Sequence, residues 1–269
     1  MNEKIQLNHL EKINDHIYAL CTPYKDIFTT VYFIKTEHGA ILFDAASYDC
    51  DIEDAVIPAL NELGIGENDL KYVFISHFHA DHAGGLGRLL ASYPNVCVVS
   101  RSDALREKFP SSTFVSLKEG EKLLEHLSVV GIVGHTRDSA ALYDSRTKTL
   151  ISGDCLQLYG IFGSGTWGAN ISFSTEYAEN IEKLRKMDID TVLTAHDYHP
   201  CGRIYKGKEN ITAALDACLA PFALLQKLID EAPDADDATI CERYNTSAKL
   251  PTLGAHIVKK YRAEKAASV

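Results

Sequence analysis

The chain has 269 residues, 46% hydrophobic and 24% charged, with a formal charge of −10. That length suits one large α/β domain or two small ones, and the acidic balance argues against a sequence-independent grip on nucleic acid, which relies on basic clusters. No continuous apolar stretch approaches the roughly 20 residues of a membrane helix, the amino terminus lacks an apolar signal core, and seven scattered cysteines form no Cys-x-x-Cys pair. A cytoplasmic location with reduced thiols is the expectation.

In chain order, Ile17–Leu20, Thr30–Ile34 and Ala40–Phe43 read as strands, the last two joined as a hairpin through Glu37-His38-Gly39, and Asp44 closes the third. Residues 51–63 have helical apolar spacing blemished by Pro58. A strand at 71–76 leads into His77-Phe78-His79-Ala80-Asp81-His82, and the glycines after it open a helix over 84–92. Val96–Val99 is a strand, Asp103–Lys108 a helix and Leu127–Val133 a strand running into Gly134-His135. Ala140–Tyr143 and Thr149–Ile151 form a hairpin ending at Asp154, 175–187 is an amphipathic helix, and Thr191–Thr194 is a strand delivering His196. Residues 206–269 read as helix, loop and helix. Within them Ile211–Asp230 is a packed helix despite Pro221, and Asp234–Asp237 is a solvated linker and cap.

Three imidazoles and a carboxylate within six positions after a strand point to a metal site, because neutral imidazole with carboxylate favours zinc or another divalent first-row ion. His77, His79, Asp81, His82, His135, Asp154 and His196 all fall just past the ends of expected strands, where α/β proteins place their chemistry. His77 and His79, two apart, project to the same side of an extended segment.

Set out along the chain, this series resembles the metallo-β-lactamase superfamily, whose His-x-His-x-Asp-His signature is matched at every fixed position, with His135, Asp154 and His196 following in order. The resemblance runs from about Thr30 to His196 and includes the hairpin that ends at Asp44. It implies an α/β (α+β) fold, a four-layer αββα sandwich over residues 1–205, with residues 206–269 as a helical extension packed on the same domain. It further implies two divalent metal ions, zinc first, with iron or manganese also accepted by such ligands. By position, His77, His79 and His135 would bind one ion and Asp81, His82 and His196 the other, with Asp154 bridging. A metal-activated hydroxide would then attack an acyl carbon, with Asp81 or Asp154 handling the proton. Asp154 in Ser-Gly-Asp-Cys disfavours antibiotic hydrolysis, His79 disfavours the oxygen-reducing relatives, and Asp138 stands where many relatives have Gly.

Asp44 is expected to orient a ligand, or else to form a plain strand-end turn. Tyr159, Phe162 and Trp167, spaced by glycines after Asp154, either present aromatic surface to an apolar substrate or pack the loop onto the core. Tyr198 is a candidate support for a ligand or donor to an oxyanion, His199 a surface or supporting residue, and Arg137 a receiver of a substrate carboxylate or, more simply, half of an exposed salt bridge. Cys155, Cys50 and Cys201 read as buried packing thiols.

The leading expectation is a hydrolase of a small ester, thioester or lactone, in the manner of glyoxalase-II-like or lactonase-like relatives. The alternatives are a phosphodiesterase or nuclease of the same fold, and a non-catalytic metal-binding regulatory protein. The expected partner is a small molecule, with no nucleic acid or membrane; the carboxy-terminal helices either cap the site or form a homodimer surface.

Overall fold

The computed structural model describes residues 6–115, 118–124, 126–162, 164, 166–200 and 202–267. Cys201, Gly163 and Gly165 lie outside them. The chain divides into two compact units, Met1–Val129 and Val130–Val269.

In the first unit, β1 (Leu10–Lys12), β2 (Ile17–Tyr24), β3 (Ile27–Thr36) and β4 (Gly39–Phe43) form an antiparallel meander, and the expected hairpin is present as β3 against β4. The sheet then turns parallel through β5 (Leu70–Phe74), β6 (Cys97–Val99) and β7 (Phe114–Val115). Its apolar residues Val31, Phe33, Leu42 and Val73 are buried in one core with Ile52, Val56 and Leu60, which recur at four-residue spacing. The helix expected at 51–63 is α1 (Asp49–Asp51), a π turn (Ile52–Val56) and α2 (Ile57–Glu62). The wider turn stands just ahead of Pro58, whose missing N–H breaks regular α pairing.

The helix expected at 84–92 is α4 (Leu86–Ser92), and a short additional helix, α3 (Ala80–Ala83), occupies the second half of the histidine motif, where a loop was expected. Gly84 is pressed against the segment after β4, where an added Cβ would sit 2.0 Å from the Ser47 carbonyl oxygen. That close approach fixes the His77–His82 loop beneath the end of β4, together with the bond from Ala45 N–H to the His82 carbonyl (2.7 Å). The remaining helix, α5 (Asp103–Lys108), matches its expected span and starts on a Ser102 side-chain cap.

The second sheet, in the order β13-β12-β11-β10-β9-β8, opens with β8 (Lys122–Leu123) and β9 (Leu127–Gly131); the division between the units falls inside β9. The hairpin β10 (Ala140–Asp144) and β11 (Thr149–Gly153) is followed by α6 (Ser174–Arg185) and by β12 (Thr191–Tyr198), which lies parallel to β11. β12 runs four residues beyond the expected Thr194. Its partner β13 (Gly202–Lys206), absent from the expected elements, extends the ladder through an irregular stretch between Leu193 and Tyr198. His196 therefore lies inside a strand rather than past its end, which corrects the expectation.

The carboxy-terminal segment contains three helices where two were expected: α7 (Lys208–Glu231), α8 (Asp237–Ala248) and α9 (Ala255–Ala267). By length and composition α7 could cross a membrane, but half of its apolar window is buried against the fold, as in a core helix. It passes through the buried Pro221 without ending. Asp236 caps α8 by accepting from Thr239 N–H at 2.7 Å, the role expected of the acidic turn. The residue before α6, Phe173, supplies no side-chain cap; Glu264 of α9 does so instead, accepting from Ser174 N–H (2.7 Å), Ser174 Oγ (2.6 Å) and Thr175 N–H (3.2 Å).

Candidate metal centre

In the first unit the histidine loop leaves the carboxyl end of β5, where Asp44 N–H donates to the Phe74 carbonyl at 2.7 Å. Asp44 is fully buried with a left-handed backbone (φ 63), a conformation that Asp tolerates better than most residues. Its carboxylate accepts from Ser76 N–H (2.7 Å) and Ser76 Oγ (3.0 Å) and bonds His82 Nδ1 at 2.7 Å. That bond turns His82 Nε2 to the opposite side, 3.4 Å from Asp81 Oδ2. Asp44 thus orients a candidate ligand, as the sequence suggested. Burial raises its carboxyl above the ordinary value, and the His82 ring opposes the shift.

His77 Nε2 and His79 Nδ1 converge to 2.9 Å, while Ser76 Oγ lies 3.1 Å from His77 Nδ1. Asp81 Oδ2 accepts from Thr29 Oγ1 at 3.4 Å. Phe78, between the two histidines, is exposed, with its ring 4.9 Å from that of His79.

In the second unit Asp154 follows β11 and meets two of its expected partners. Its Oδ1 is 3.1 Å from His196 Nε2 and its Oδ2 is 3.7 Å from His135 Nε2. His135 Nδ1 bonds the Asn170 carbonyl at 2.6 Å, which assigns the proton to Nδ1 and directs Nε2 toward the carboxylate. The turn after His135 needs no glycine at Asp138. Its backbone is not left-handed, and Thr136 Oγ1 donates to Asp138 Oδ1 at 2.6 Å.

Of its two expected roles, Tyr198 matches the support of a ligand rather than an oxyanion donor. It is fully buried, and its hydroxyl donates to Asp154 Oδ1 at 3.0 Å, so its proton is committed to a candidate ligand. Burial first, then the neighbouring Asp154, push its phenol well above the usual value. The aromatic loop is tied to the strand that carries His196. Ile161 bridges Tyr198, and Phe162 N–H donates to the Asp197 carbonyl at 2.6 Å. Tyr159 and Trp167 are half-buried, whereas Phe162 is exposed with its ring 4.4 Å from that of His199. Arg137 pairs with Glu176 at 2.5 Å and lies over the Phe173 ring, in line with the salt-bridge reading. Cys155 is buried as expected, but Cys50 is exposed, because α1 carries it on its solvent side.

The sequence reading passed over Ser76, Thr29 and Asn170. Ser76 directly precedes the motif, which was a usable signal; Thr29 and Asn170 act only through tertiary contacts. His77, His79, His82, His135 and His196 each present a nitrogen to a carboxylate or to another imidazole, and Asp44, Asp81 and Asp154 are held by hydroxyl donors. This donor chemistry suits divalent first-row ions.

The family model described as the metallo-beta-lactamase superfamily matches residues 24–196. A hydroxyacylglutathione hydrolase of Synechococcus sp. (strain JA-3-3Ab) is 33% identical over 62% of this chain and 64% of its own length, and one of Thermosynechococcus vestitus is 28% identical over 74% and 68%. The chain thus spans just under two thirds of the first of these relatives. The DIM-1 metallo-beta-lactamase superposes with a TM-score of 0.62 at 14% identity, covering 79% of this chain and 97% of that one. The rubredoxin oxygen:oxidoreductase of Desulfovibrio gigas gives 0.62 at 18%, covering 80% and 62%. These likenesses establish the α/β fold with its mixed sheets and carboxy-terminal helices. With the family model covering well over half its residues, the chain belongs to the metallo-β-lactamase superfamily.

Proposed function

We propose that this protein is a metal-dependent hydrolase of a small thioester, with esters and lactones as the neighbouring substrate classes. The observation that carries the reading is a histidine and carboxylate donor set in which His82, His135 and Asp154 are aimed by Asp44, the Asn170 carbonyl and Tyr198, in a chain whose relatives include hydroxyacylglutathione hydrolases. His77, His79 and His135 are proposed to hold one divalent ion and Asp81, His82 and His196 a second, with Asp154 shared; zinc is the leading candidate, then iron or manganese. When bound, such ions acidify water and polarise an acyl oxygen.

The protein's own residues supply orientation and proton handling. Asp44 and Asn170 fix the tautomers of His82 and His135, so that Nε2 is the nitrogen each ring offers. Asp81 and Asp154 are the carboxylates proposed to take a proton from the attacking water. Tyr198 keeps Asp154 oriented through Oδ1. Phe162, exposed on the loop bonded to the His196 strand, is proposed to contact the apolar part of the substrate.

Metal content by plasma mass spectrometry, paired with a thioester, ester, lactone and bis-p-nitrophenyl phosphate panel, tests this. About two ions per chain with thioester turnover is expected. Phosphodiester turnover alone would replace the reading with the phosphodiesterase alternative. His79→Ala should abolish turnover while leaving the unfolding transition in place; surviving activity would refute the assignment of the first ion.

A further inference from the structure

Gln157 stands three residues after Asp154, is buried, and lies behind two of the proposed ligands at once. Its amide has one allowed orientation. The Asn170 N–H can only donate, so Gln157 Oε1 faces it at 3.1 Å, and Nε2 then donates to the Asp154 carbonyl oxygen (3.0 Å) and to Tyr198 Oη (3.2 Å). Having accepted from Gln157, the Tyr198 hydroxyl directs its single proton to Asp154 Oδ1 (3.0 Å). At the other end, Asn170 also offers the carbonyl that holds His135 Nδ1 at 2.6 Å.

His135, Asn170, Gln157, Tyr198 and Asp154 thus form one continuous chain of contacts in which every donor has its direction fixed. The residue's own main chain is anchored separately, through its N–H to Tyr177 Oη at 3.0 Å. Buried networks of this kind are sensitive to one missing member, because each remaining group then loses a partner that water cannot replace.

We infer that Gln157 is a positioning residue that orients His135 and Asp154 together and thereby sets the affinity of the protein for divalent metal. This rests on the ligand assignment proposed above. It adds that the two ligands are coupled through a single amide, which neither the signature motif nor the ligand set contains.

Zinc affinity measured by competition with a chromophoric chelator, beside the melting temperature of the metal-free protein, tests it on the parent and on Gln157→Met, Gln157→Glu and Tyr198→Phe. Gln157→Met keeps the length and removes all three side-chain bonds, and about a 10–100-fold loss of zinc affinity is expected. Gln157→Glu keeps the shape but, when ionised, draws the Tyr198 proton away from Asp154, and the same direction of loss is expected. A space-filling role would instead lower the metal-free melting temperature and leave zinc affinity unchanged. Should Gln157→Met fail to fold, Tyr198→Phe deletes one hydroxyl, keeps the ring packed and carries the test. A zinc affinity reduced by less than about tenfold in the variants would overturn the role of Gln157 alone, since it falls short of a supporting contact. Absence of zinc binding by the parent would overturn the ligand assignment and this inference with it.

Discussion

His77, His79, Asp81 and His82 come from six consecutive residues at the end of β5, whereas His135, Asp154 and His196 are drawn from three separate places between β9 and β12. The first group is shaped by a tight loop over Gly84 and by one buried acid, Asp44, that holds Ser76 and His82. In the second, the parallel pairing of β11 with β12 brings Asp154 and His196 together, and Tyr198 and the Asn170 carbonyl, joined through Gln157, hold Asp154 and His135. A local cluster concentrates its support in a few groups; a dispersed one spreads it over a sheet.

Removing that concentrated support should have the largest effect. Asp44→Ala leaves Ser76 and His82 without their buried acceptor and places alanine in a left-handed backbone, and a loss of about 3–5 kcal/mol in urea unfolding is expected. Tyr198→Phe, on the other side of the comparison, removes the two hydrogen bonds of one hydroxyl, to Asp154 and from Gln157, and should cost about 2 kcal/mol. Equal losses in the two would break the contrast.

A steric pair sharpens it. At Gly84 an added Cβ meets the Ser47 and Ala80 carbonyl oxygens at 2.0 and 2.4 Å, while at Gly134 it meets the Tyr177 ring at 2.3 Å. Both alanine substitutions overpack, at about 1–3 kcal/mol. Gly84→Ala belongs at the upper end, because backbone cannot swing aside as a ring can; thermal unfolding of the pair should rank them so. Ser102→Ala, which loses only the α5 cap, sets a baseline near 1 kcal/mol.

The cysteines give the mildest probe. A thiol reagent at pH 8 should label Cys50 in the native protein and leave Cys155 and Cys218 unmodified until denaturant is added. Burial pushes the Cys218 thiol up to about 11, above its unfolded value near ~8.5. The unfolded chain therefore gives up this proton first, so the stabilisation is complete below the unfolded value and is lost as pH rises through about 11. A denaturation midpoint that rose across that window would contradict the assignment.

The same contrast explains what the sequence made legible. The hairpin before Asp44 and the α5 span depend on short-range spacing and turn chemistry and match their expected elements, whereas the six-residue motif follows its strand as expected but continues as the helix α3 rather than a loop. The order of His135, Asp154 and His196 became meaningful only through family resemblance, because no local pattern joins them. The extension of β12 was missed since it depends on β13, an edge strand whose signal is weak alone. The sequence leaves Tyr198 open between supporting a ligand and donating to substrate, because proximity to His196 says nothing about burial. The carboxy-terminal helices were undercounted where Leu250-Pro251-Thr252-Leu253-Gly254 separates α8 from α9, a break that composition marks but that the reading merged into one helix.

The cap on α6 bears on the order of synthesis. That helix follows the segment carrying Asn170, yet the carboxylate closing its amino-terminal turn belongs to Glu264, ninety positions after Ser174. A nascent chain emerging from the ribosome can form α6 early, but its exposed N–H groups stay with water until α9 has been translated and docked. Final consolidation of the second unit is thereby deferred until nearly all of this sequence has left the exit tunnel.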